Sequence, residues 1–291
     1  MAKLLSTFIT IAGCTLSVIY FSSCNNSGSE KTKGINDSTL SDTKVVDSLT
    51  TSKKKAIEFK FATIEANLPS PFEIVNDLHT YQAPFMKDLL NPGTNADKYI
   101  APYKKEVNFG IYGIDLAYIN FYGQNQELVN YYSAIQKIAR DLNMDKVFEV
   151  YADRFKSNEN NKDSVVLIMD DVFNSTDVYL KKNERFVAAS HILAGALIEL
   201  NYLSLNLLKD LKKTPENDKL FDKVYNENLY IYYLIKLYEE YTDKDSKDLL
   251  AALKEYRKSY DENIKSAADL TPEKIAQAIG MINKVRNNLT K

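Results

Sequence analysis

The chain has 291 residues, 37 basic and 39 acidic side chains, two histidines, two cysteines and no tryptophan. A near-neutral balance without clustered positive charge excludes a nucleic-acid footprint and a polybasic membrane patch. Two histidines, His79 and His191, leave little room for a histidine-based metal centre.

In chain order, residues 1–23 carry a single charge, Lys3, ahead of an apolar run from Leu4 to Phe21. That is the n-region and h-region of a secretory signal. The segment "FSSC" then places small residues before Cys24 and resembles a bacterial lipobox, in which the cysteine thiol takes a diacylglycerol and becomes the new N-terminus; Phe21 stands where that motif usually has leucine. A run of 18 residues falls short of the roughly 20 that span a bilayer, which favours lipid attachment at Cys24 over a membrane anchor. Cys14 leaves with the signal, so no disulfide framework or cysteine cluster is available to the mature chain. Loss of Lys3 leaves 36 basic against 39 acidic side chains, still no polybasic surface.

From Asn25 to about Lys55 the chain is Ser, Thr, Asn, Asp, Gly and Lys with few large apolar residues. Such a composition buries too little surface to offset ordering entropy and predicts a disordered tether over 24–55. Residues 56–62, "AIEFKFA", alternate apolar and polar and predict an extended segment docked on the domain. The expected organisation is therefore a signal peptide over 1–23, a tether over 24–55 and a single all-helical domain over 56–291.

From Ser70 onward the periodicity is helical. "SPFE" sets Ser70 as N-cap, Pro71 at the first helical position and Glu73 closing a capping box, starting a helix to about Tyr81. Pro84, Pro92 and Gly93 break the chain into short pieces. Further helices are predicted at about 103–122, 125–142, 144–156, 162–182, 185–211, 215–241, 244–265 and 272–289. Thr214-Pro215 and Thr271-Pro272 mark two of the starts. Short connections predict antiparallel sequential neighbours, hence an all-α bundle of about eight to ten helices.

Two stretches, 108–122 and 189–208, are apolar nearly all round, as expected of buried central helices. His191, Glu199, Asn201 and Asn206 argue against a membrane span in the second. Each carries a carboxylate in apolar surroundings, Asp115 and Glu199, and His191, Gly195 and Glu199 lie four residues apart on one stripe. Carboxylates and a histidine so placed form a candidate binding or acid-base site. The competing and favoured reading is that tyrosine hydroxyls or lysines satisfy them and they fix helix register. Gly110 and Gly113 point to close helix packing, since no strand precedes them for a phosphate loop. Asp170, Asp171 and Asp177 lack the spacing and glycine of a calcium loop and read as a solvated helix face. The tyrosine-rich stretch 224–241 reads as a bundle helix rather than an aromatic binding wall. HExxH, GxSxG, a Walker loop and the di-iron ExxH pattern are all absent, so neither a catalytic residue nor a metal or cofactor is expected.

"LPSPFEI" at 68–74, "LLNP" at 89–92, "NFGIYGIDLAY" at 108–118 and "AGALIE" at 194–199 resemble the corresponding segments of an uncharacterised all-helical lipoprotein family of Bacteroidota. The resemblance implies a Gram-negative envelope lipoprotein with a helical body and carries no activity. The tract "NNSGSEK" after Cys24 lacks clustered acidic residues resembling surface-export signals, which points to the periplasmic face of the outer membrane. The expected function is non-catalytic: binding an envelope protein partner, or acting as an assembly or scaffold factor. The alternative is a small-molecule site or an unrecognised enzyme around Asp115, His191 and Glu199.

Overall fold

The computed structural model describes residues 51–67 and 71–291. Cys24, the signal and the tether through residue 50, together with Ser70 of the expected capping box, lie outside the described residues. Among the described residues there are ten α-helices and no strand: α1 Thr51–Asn67, α2 Pro71–Thr80, α3 Pro102–Phe121, α4 Asn125–Asp141, α5 Asp145–Asn158, α6 Lys162–Lys182, α7 Phe186–Lys209, α8 Asp218–Tyr238, α9 Lys244–Asn263 and α10 Pro272–Thr290. Short 3₁₀ turns at Lys87–Leu89, Gly93–Lys98 and Ala267–Asp269 occupy the proline- and glycine-broken segments. The protein is an all-α multi-helix bundle.

Two expectations are corrected. Residues 56–62 lie inside α1 rather than forming an extended segment, and α1 begins at Thr51, within the expected tether. Its buried residues are Ile57, Phe61 and Ile64, spaced by four and three as a helical stripe requires. The apparent alternation was produced by Phe59, which is 74% exposed and belongs to no core face. The helix expected from Pro215 starts three residues later, because the Asn217 side chain holds a turn. Its Oδ1 accepts from Thr214 N–H at 2.8 Å and its amide donates to Lys212 O at 2.9 Å. At Thr271-Pro272 the expectation holds: the Thr271 hydroxyl accepts from Lys274 N–H and α10 begins at the proline.

Cross-helix pairs fix the directions. Lys105 meets Asp141 while Tyr112 meets Tyr131, so α4 runs antiparallel to α3. Tyr151 with Ser175 and Arg154 with Asp171 do the same for α5 and α6. The pairs Asn201–Glu227 and Ser190–Tyr241 set α7 against α8. The central pair, α3 and α7, runs parallel: Glu106 meets His191 near one end and Arg286 links Glu199 to Asp115's surroundings at the other.

At their crossing the backbones nearly touch. A Cβ added at Gly195 would lie 1.9 Å from Val107 O, and one at Gly110 would lie 2.0 Å from Ile192 O. Every residue of α3 from Glu106 to Asn120 is buried, and α7 is nearly as enclosed. By length and apolarity α7 is the one described helix that could cross a membrane, yet 83% of its apolar window is buried inside the protein. Protein neighbours on all sides account for its composition.

Candidate functional site

Asp115 of α3 and Glu199 of α7 are both fully buried. Arg286 reaches them from α10. Its Nε lies 2.5 Å from one Glu199 oxygen and a terminal nitrogen 2.7 Å from the other, a bidentate pair. The same nitrogen donates to Leu89 O at 2.8 Å, and the guanidinium lies 4.3 Å from the Tyr202 ring centroid. Asp115 accepts from Asn91 N–H through Oδ2 at 3.1 Å, whereas its Oδ1 receives no hydrogen bond from any donor. Burial first, and then the negative charge of Glu199, hold the Asp115 carboxyl well above the usual carboxylate range, against the pull of Arg286. That shift favours the protonated form of Asp115, whose O–H would be the donor that its unpartnered oxygen lacks.

The surrounding polar groups are fasteners. Asn91 donates to Asn108 Oδ1 and to Tyr99 at 3.0 Å each, and Asn108 donates to Leu289 O at 2.9 Å. Tyr99 donates to Thr290 O at 3.2 Å and Tyr112 to Pro92 O at 2.8 Å. Together they tie the irregular segment 87–99 and the C-terminal helix to α3 and α7. Asp115, Glu199 and Arg286 line neither the 350 Å³ cavity beside α6, the 410 Å³ cleft beside α9, nor the small apolar pocket at Phe148.

His191 joins a different cluster. Two helical turns separate it from Glu199, about 12 Å along α7. Its Nδ1 lies 2.7 Å from Glu106 Oε2 and its Nε2 3.2 Å from Ser246 Oγ. Serine, histidine and carboxylate in that order have the connectivity of an activated nucleophile. Access decides otherwise. Ser246 is fully buried in the first turn of α9, Tyr103 packs edge-on against His191 at 4.8 Å, and neither His191 nor Ser246 lines the 410 Å³ cleft that Tyr103 borders. A nucleophile that no substrate can reach is a helix tie. The structure thus brings Asp115 and Glu199 together and places His191 elsewhere.

A third buried group joins α7, α8 and α9. Glu227 accepts from Asn201 at 3.0 Å, and Asn201 accepts from the Tyr256 hydroxyl at 2.5 Å. Burial raises the Glu227 pKa to about 7. Its folded value exceeds its unfolded value of 4.5, so the native state holds an extra proton between these limits and stability falls as pH rises across them. The fall is on the order of 3 kcal/mol at 1.36 kcal/mol per pKa unit. Glu227→Gln is expected to remove this component, which urea denaturation at pH 5 and pH 7.5 measures as the difference between variant and wild type.

The feature suited to a ligand lies on the other side of α7. A cavity of 350 Å³ opens between α1, α2, α6 and α7, with Ile114 of α3 and Tyr230 of α8 closing it. Its body is apolar, formed by Phe61, Phe72, Phe173, Leu193 and Leu197 among others, and its polar residues include Glu65, Asp170, Thr176 and Asp177. Phe173 occupies the space that a Cβ at Gly113 would fill, 2.1 Å from its ring edge. Gly113 thus seats an aromatic wall of the cavity, a local role beyond helix-helix approach. The acidic residues of α6 divide: Asp171 pairs outward with Arg154 at 2.9 Å, while Asp170 and Asp177 line the cavity. The expectation of a solvated face fails for these two because the helix turns them toward α1, an element whose position the sequence pattern did not reveal. Glu65 was missed for the same reason. Of the tyrosine-rich stretch, Tyr230 alone lines this cavity, while Tyr238 and Tyr241 are buried in the core. Among the described residues no group of three or more His, Cys, Asp or Glu side chains is arranged to hold a metal ion. Comparison with protein-family models, with curated proteins and with solved structures found no match.

Proposed function

We propose that this chain is an envelope lipoprotein of a Bacteroidota bacterium, attached through Cys24 to the periplasmic face of the outer membrane, whose helical domain is a non-catalytic binding module. The 350 Å³ cavity is its ligand site, and that cavity is the observation that carries the reading. Its size and largely apolar lining match what small-molecule sites require. The non-catalytic reading is supported by the burial of the Asp115–Glu199–Arg286 and Glu106–His191–Ser246 clusters, none of whose residues lines this cavity or the 410 Å³ cleft beside α9. This moves the expected small-molecule site from Asp115, His191 and Glu199 to the space between α1 and α6.

Native mass spectrometry of protein released from its own membranes tests the reading. Wild type is expected to carry a small-molecule adduct, and Leu193→Trp, which fills the cavity, is expected to lose it. A wild-type protein free of adduct, or an adduct unaffected by the tryptophan, would overturn it. Docking of an envelope protein is the second reading, favoured by Phe59 standing 74% exposed on the outer face of α1. Crosslinking in cells with Phe59→Ser as control tests it.

Attachment has its own test. Cys24→Ala is expected to abolish lipidation and processing at that position, since the Cys24 thiol is the group modified. Intact mass should show wild type beginning at Cys24 and heavier by a diacylglyceryl group. An unmodified thiol, or a chain retaining Met1–Ser23, would contradict the anchor.

A further inference from the structure

The chemistry of the cavity's polar side narrows the ligand class, an inference that rests on the cavity being the ligand site. Three carboxylates contribute there, Glu65 from α1 and Asp170 and Asp177 from α6. One cation answers them: Lys181 Nζ lies 2.6 Å from Glu65 and 2.7 Å from Asp177. Asp170 has no basic partner among the described ion pairs, so the polar end carries excess negative charge.

Two buried polar atoms there are unsatisfied. Asp177 Oδ1 has no hydrogen-bond partner although Oδ2 is taken by Lys181, and Thr176 Oγ1 has none although Thr176 is only 2% exposed. Unpaired buried acceptors are uncommon in folded proteins and disfavoured by their lost hydration. A carboxylate oxygen and a hydroxyl oxygen beside an apolar chamber leave open acceptor positions that an N–H donor would fill.

Lys181 shows what this end accepts. Its ammonium lies 5.2 Å from the Phe61 ring centroid while it bridges the two carboxylates. Aromatic faces and carboxylates together attract a cation and repel an anion. Burial also raises the pKa of Glu65, against the pull of Lys181, and that of Asp170, beside Asp171.

We propose that the cavity binds an amphiphilic organic cation, its apolar body between Phe72, Phe173 and Leu197 and its protonated amine against Asp170, Asp177 and the Thr176 hydroxyl. An amine would bring the charge and the donors that this end lacks, and its hydrocarbon would displace water from the apolar walls.

The test uses the full chain in lipid nanodiscs, titrated calorimetrically with n-decylamine, n-decanol and decanoate below their micellar concentrations. Leu193→Trp nanodiscs supply the background for probe partitioning into lipid. Decylamine is expected to bind wild type at least tenfold more tightly than either other probe. Asp170→Asn/Asp177→Asn should bring decylamine down about tenfold, to the level of decanol, while leaving decanol unchanged. Thr176→Val, which conserves shape, should weaken decylamine several-fold and guards against misfolding of the tryptophan variant. Equal binding of all three probes, preference for decanoate, or decylamine binding indifferent to the paired Asn substitutions would overturn the cationic ligand while leaving the cavity reading intact. Failure of every probe to distinguish wild type from Leu193→Trp would overturn both.

Discussion

Gly195→Ala and Gly110→Ala are each expected to destabilise the protein by about 3 kcal/mol, lowering the melting temperature by roughly 10 °C for a chain of this size. In an exposed helix the same change gains about 1 kcal/mol, because alanine restricts the unfolded chain and favours the helix. Here the added methyl carbon would lie 1.9 Å from Val107 O at Gly195 and 2.0 Å from Ile192 O at Gly110. Both obstacles are backbone carbonyls inside helices, which no rotamer change can move aside. The helices must separate, and separation opens the centre of the core. Gly280 in α10 supplies the control, since nothing lies within 4 Å of the space its Cβ would occupy. Gly280→Ala is expected to stabilise by about 1 kcal/mol. Thermal and urea melts of the three variants check the pattern, and a neutral Gly195→Ala would show that the α3–α7 crossing is looser than described.

Arg286→Met should be comparably severe at pH 7, costing about 3–5 kcal/mol, because it leaves Glu199 buried without its counter-charge. Loss of the Leu89 and Tyr202 contacts adds to this. Urea denaturation at pH 7 measures the loss. The double variant Arg286→Met/Glu199→Leu should recover most of the loss, since a buried pair replaced by apolar groups of similar volume is often nearly neutral.

Asp115→Asn tests the proton assignment in the same cluster. An amide presents a carbonyl to Asn91 N–H and a donor to Glu199, as protonated Asp115 does. It is expected to be tolerated within about 1 kcal/mol at pH 7. It should also abolish the stability that wild type loses as pH rises through the elevated pKa of Asp115. Urea melts across pH 5 to 8 separate these outcomes from a cluster in which both carboxyl groups are ionised, for which Asp115→Asn would stabilise at neutral pH instead.

The helical class and nearly every helix from 71 onward follow from local sequence. Apolar spacing sets each helix's face, and prolines at 71 and 272 mark two starts, because these effects act within a few residues and need no partner. The same locality explains why α3 and α7 could be recognised as central: a helix apolar on all sides needs protein on all sides. Local signal failed at α1, where a half-exposed helix with Phe59 turned outward imitates a strand over seven residues, and at Asn217, whose side chain replaces the first turn expected after Thr214. What no local pattern contains is the pairing of helices distant in the chain. Asp115 and Glu199 met because α3 and α7 run parallel, whereas His191, on the same stripe as Glu199, sits two turns away and found Glu106 and Ser246. Arg286 joined from the last helix, about 90 residues beyond Glu199. Nor could the sequence show the cavity, whose walls come from α1, α2, α6 and α7 and exist only once those helices are placed. Each of these is a long-range contact, set by how whole helices pack, and carries no signature in the residues on either side of it.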